Sequence, residues 1–165
     1  MSASAAHPDP LTVDVEDDWE DGADEYEDEL PEAHPDFRVA FPSDFYDDQS
    51  DDFAPFGSDE GWDAMVEIVD GHLPLAPDVT LRGLAEEYLE WDDADFEDDD
   101  LASTEESDFV MTGVAFTILR LTGRIDEEGR RWLLAALHRQ QERFGHDVPE
   151  LARMVADLEA LPRPR

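Results

Sequence analysis

The sequence predicts an all-α fold of about five helices in one small domain, preceded by an acidic disordered arm. Three observations carry this expectation. From residue 59 onward, apolar side chains recur at helical spacing, in runs bounded by capping residues, prolines and glycines. One run, DFVMTGVAFTILRLTG from Asp108, is apolar nearly all round, as a buried central helix is. Residues 1–32, in contrast, combine dense like charge with too few apolar groups to offset an ordering cost of about 1–2 kcal/mol per residue.

The chain is organised around FAPFGSDEGWDAMVEIVDG, residues 53–71. Pro55 and Phe56 form an apolar clamp with Phe53, Gly57 permits a tight turn, and Ser58 or Asp59 is placed to cap a helix expected over about 59–69, with Gly61 and Trp62 in its first turns. Trp62, Met65, Val66 and Val69 recur at helical spacing, and Gly71 is the expected stop. Upstream, Phe37, Phe41, Phe45, Tyr46, Phe53 and Phe56 crowd a stretch that Pro31, Pro35, Pro42 and Pro55 keep out of long helices. We expect this stretch to drape irregularly over the helical body and bury its rings there.

Thr80 caps the second predicted helix, TLRGLAEEYLEW, with Leu81, Leu84, Tyr88 and Trp91 inward. An acidic loop follows, and Ser107 is the expected cap of the third, central helix, with Asp108 favoured in its first turn and Gly123 ending it. The fourth begins at Asp126, buries Trp132, Leu133, Ala136, Leu137 and Phe144, and closes at Gly145 in the left-handed conformation. Pro149 opens the fifth, with Leu151, Met154, Val155, Leu158 and Leu161 inward. The expected organisation is an arm over 1–32, a helical domain over 33–161 and a frayed tail over 162–165.

Charge is the extreme feature: 46 acidic residues against 11 basic, all arginine, give a net charge of −35. Residues 1–60 carry −20, 61–107 carry −15, and 108–165 are neutral, with nine acids and nine arginines. Salt adaptation would spread acid over the whole surface, so this polarity speaks instead of partners and solubility. Such a chain repels nucleic acid and anionic membranes and attracts basic proteins or cations. No apolar run approaches the roughly 18 residues of a membrane span, and the N-terminal residues do not read as a signal peptide. A cytoplasmic protein is expected.

Few residues carry a chemical signature. There is no cysteine, and the five histidines lack metal-ligand spacing. No nucleophile elbow, phosphate loop or dinucleotide fingerprint is present. Asp92, Asp93, Asp95, Glu97, Asp98, Asp99 and Asp100 offer hard oxygen ligands, but an EF-hand counted from Asp93 would need glycine where Asp98 stands. No cofactor or metal site is therefore assigned. Arg120, Arg124, Arg130 and Arg131 flank one helix junction, where pairing with the chain's own acidic loops is favoured over phosphate binding.

AHPDF (33–37), FYDD (45–48) and above all PFGSDEG within 51–65 resemble the YfeS-like group of uncharacterised bacterial proteins. The resemblance covers about residues 33–91. It implies a small domain starting near Ala33 and supplies no catalytic residue.

The functional reading is a non-enzymatic interaction protein that engages a basic protein partner. It would act as a nucleic-acid mimic or as an inhibitor or immunity-type protein. Trp19 and Tyr26 of the arm would supply contact area, and the acids of 92–100 would steer the encounter. The alternatives are a helical domain whose acids only keep it soluble, and a small enzyme with a carboxylate or divalent-metal site near the 58–63 turn.

Overall fold

The computed structural model describes residues 29–88, 91 and 104–163. Among these residues the architecture is all-α, with six helices, one 3₁₀ turn and no strand. The helices are α1 (Pro35–Ala40), α2 (Asp59–His72), α3 (Leu81–Tyr88), α4 (Glu105–Thr122), α5 (Glu127–Phe144) and α6 (Pro149–Ala160), with the 3₁₀ turn at Asp44–Asp47.

α4 is the axis on which α1, α2, α3 and α5 pack, as its all-round apolar sequence predicts, and α6 packs on α5. From Met111 to Arg120 every residue is buried, and α2, α5, α1 and α3 all lie against it. Thr104, rather than Ser107, caps it by accepting from the Ser107 N–H at 3.1 Å, which adds a turn bearing Glu105 and Glu106. Gly123 ends it at φ 73°, ψ 8°, in the left-handed region.

The aromatic stretch before residue 57 buries its rings as expected, but with more order. His34 caps α1 through a ring nitrogen that accepts from the Asp36 N–H, and Pro35 occupies the first turn, where its missing N–H costs nothing. Phe37 and Phe41 are buried, and Tyr46 stacks on Phe116 of α4 with centroids 5.5 Å apart. Arg120 fastens this layer. Its side chain is 4% exposed and donates to the Pro31 carbonyl at 2.6 Å and to Asp47 at 2.6 Å.

α2 runs one residue past Gly71, to His72. The stop is set by Pro74, which holds Leu73 at φ −83°, ψ 141°. Its most buried face is Ala64, Met65 and Ile68, while Trp62, Val66 and Val69 flank it, half-buried. Asp126 joins two helix starts: one carboxylate oxygen accepts from Leu81 N–H of α3, the other from Gly129 N–H of α5, each at 3.0 Å.

Three further expectations are corrected. Gly145 closes α5 at φ 118°, ψ 142°, outside the left-handed helical region. Phe144 is 36% exposed rather than in the core, because it lies on the flank of α5 that faces the 53–58 turn. Asp108 stands in the first turn of α4 as expected, and it is also a buried ion: Arg139 donates to it at 2.7 and 2.9 Å and Arg143 at 3.3 Å. Of the arginines near the α4–α5 junction, Arg120 pairs with an acidic loop as expected. Arg130 instead donates to the carbonyls of Leu158, Glu159 and Leu161 at the end of α6, where the Leu158 carbonyl also accepts from the Leu161 N–H, and Arg131 lies near Glu128 of its own helix.

Candidate acidic groove at the α2 start

The PFGSDEG segment folds into a compact turn that needs glycine at positions 57 and 61. The Asp51 carbonyl accepts from Ala54 N–H, its carboxylate accepts from Phe53 N–H, and the Ala54 carbonyl accepts from Gly57 N–H. A Cβ on Gly57 would lie 1.9 Å from the Asp51 carbonyl oxygen, and one on Gly61 would lie 2.3 Å from that of Pro55. Both positions therefore demand glycine. Pro55 and Phe56 are buried, and Ser58 caps α2 by accepting from Gly61 N–H at 3.0 Å. Asp59, Gly61 and Trp62 then form the first helical turn.

This turn forms one wall of a groove of about 310 Å³; Glu105 and Phe109 of α4 and Phe144 of α5 form the other. Asp52, Asp59, Glu60 and Glu105 line it, with no basic side chain among the lining residues. Phe53 meets Phe144 edge-on at 5.2 Å between centroids, and Phe109 lies 6.1 Å from Phe144. Asp59, Glu60 and Glu105 all stand in first helical turns, where the macrodipole favours acids and concentrates them on one side of the molecule.

Chemically, the groove offers carboxylates beside ring faces. That combination suits a guanidinium or ammonium group, whose charge meets the acids while its aliphatic stem lies on the rings. Asp52, Asp59 and Glu105 are exposed, unlike the dry carboxylate pair that acid–base catalysis uses. Among the described residues no group of three or more His, Asp or Glu is arranged to hold a metal ion.

The structure brings together the predicted motif residues Pro55, Phe56, Gly57, Ser58, Asp59, Gly61 and Trp62. It adds Asp52, Glu105, Phe109 and Phe144, which periodicity alone assigns to a turn, a loop or the core. The predicted partner-binding residues Trp19, Tyr26, Asp92, Asp93, Asp95, Glu97, Asp98, Asp99 and Asp100 lie outside the described residues. No helix among the described residues is long and apolar enough to cross a membrane.

No family model and no solved structure matches the chain. It is similar to the uncharacterised protein YfeS of Escherichia coli strain K12, at 30% identity over 152 residues. That match takes in 79% of this chain and 62% of the relative, so the chain spans about three fifths of the relative's length. The chain is YfeS-like, as its PFGSDEG segment predicts.

Proposed function

We propose that the chain is a cytoplasmic, non-enzymatic interaction protein that binds a basic protein partner. The observation that carries this reading is the groove at the start of α2, where four carboxylates and three phenylalanine rings meet without a lining cation. An arginine or lysine of the partner enters there, and the net charge of −35 accelerates the encounter. The acids of 92–100 contribute steering, which salt screens over a distance of about 8–10 Å.

Fluorescence anisotropy of a labelled arginine-rich peptide with the full chain tests this. Asp59→Asn combined with Glu105→Gln, and separately Phe109→Ala, should weaken binding at moderate salt. Neutralising 92–100 should chiefly slow association and flatten the salt dependence. Equal losses for every acid removed, wherever it lies, would mean that the peptide senses only bulk charge.

A further inference from the structure

A second groove, of about 490 Å³, opens on the other end of α4 and is mainly apolar. Val39 and Ala40 of α1, Ile125 after α4, and Leu161 and Pro162 after α6 line it. Val39 is 81% exposed, far more than the other exposed large apolar residues described. Asp36 and Asp157 also line the groove, but Asp157 already accepts the Tyr46 hydroxyl at 2.7 Å. Arg124 lines the same rim, and Arg38 stands beside Val39 on α1; both are exposed, and neither has an ion pair among the described residues.

We propose that the chain's own acidic segment Trp19–Tyr26 docks in this groove, with Trp19 as its apolar anchor. The described chain starts close by. The Pro31 carbonyl and His34 N–H are both bound by Arg120, and a Cβ on Gly123 would meet the His34 ring at 2.5 Å and Asp36 at 2.8 Å. Gly123 and Asp36 themselves line the groove. From Leu30, which packs on the core, Tyr26 can reach about 14 Å and Trp19 about 36–40 Å at full extension.

The volume lies within the range of roughly 300–1,000 Å³ that seats a compact ligand group, and a tryptophan with its neighbours is such a group. Charge also favours this site over the acidic groove at the α2 start, whose lining holds four carboxylates and no cation. Residues 1–28 hold eleven acids and no arginine, and they are repelled by most of the surface. The groove is built largely from residues 123–162, within the neutral third of the chain, where Arg124 is available to Glu20, Asp21, Asp24 or Glu25. The other segment outside the described residues, 92–103, is rooted at the α4 N-terminus, about 27 Å from Gly123 along an 18-residue helix.

Fluorine NMR of the full chain carrying 5-fluorotryptophan tests the proposal, with Trp19 assigned from Trp19→Phe. The Trp19 resonance should be shifted from its random-coil position and shielded from a soluble paramagnetic probe, equally in dilute and concentrated samples. Val39→Glu and Arg124→Glu, both at exposed positions, should each return it to the random-coil position. A random-coil resonance in the parent chain would overturn the proposal. So would shielding that neither variant relieves, since the segment would then dock elsewhere. Shielding that grows with protein concentration would assign the groove to a second copy's arm. No basic partner is present in these samples, so the result is independent of the proposed function.

Discussion

Gly113 of α4 faces Gly61 of α2 so closely that a Cβ on Gly113 would lie 2.6 Å from the Gly61 Cα and 2.7 Å from its carbonyl oxygen. The two helices touch backbone to backbone there, which sets the PFGSDEG turn firmly against α4 and fixes the groove walls. Gly113→Ala should therefore cost about 1–3 kcal/mol from overpacking, despite a gain of up to about 1 kcal/mol in helix propensity. Gly83→Ala in α3 is the control. Its methyl group meets only the Thr80 hydroxyl, at 3.2 Å, so denaturant unfolding should find it near neutral or stabilising.

Asp126 ties α3 to α5 by receiving an N–H from each. Asp126→Ala should lose more than a single cap, whose usual worth is about 0.5–2 kcal/mol. Asp126→Asn keeps one acceptor oxygen and should lose less. Urea midpoints of the two variants would rank them.

Asp108 has a side chain 1% exposed, held between Arg139 and Arg143. Asp108→Ala should destabilise by about 3–5 kcal/mol, the range for breaking a buried pair. The lower end is expected, because both arginines are partly exposed and can regain water. Thermal unfolding at neutral pH is the check.

Tyr46 is buried and donates to Asp157, and the burial pushes its hydroxyl well above the ordinary value of 10.0. The folded state thus favours the neutral phenol, and this contribution is complete below about pH 10. Above it, tyrosine ionises in the unfolded chain first, so stability falls with rising pH. Tyr46→Phe should lose about 1.5–3 kcal/mol near neutrality, the range for a hydrogen bond to a charged group. It should also flatten the alkaline decline, as denaturant titrations between pH 8 and 11 would reveal.

The helix starts at Ser58, Thr80, Asp126 and Pro149 and the stop at Gly123 were legible because each rests on local chemistry within four residues. α1 was not legible, since Pro35 in its first turn also reads as a breaker, and six residues carry too little periodicity. Burial of Asp108 depends on Arg139 and Arg143, some 31 and 35 residues distant, so nothing local announces it. The groove was half legible. PFGSDEG marks one wall, but Glu105, Phe109 and Phe144 join it only through the packing of α4 and α5 on α2.

The central claim, that a basic partner is recognised at the acidic groove, is tested most directly by mapping an arginine-rich peptide on the isotopically labelled full chain. Amide shifts should concentrate at Phe53, Gly57, Asp59, Glu105 and Phe109, and should persist at moderate salt. Shifts spread evenly over acidic positions and abolished together by salt would contradict it.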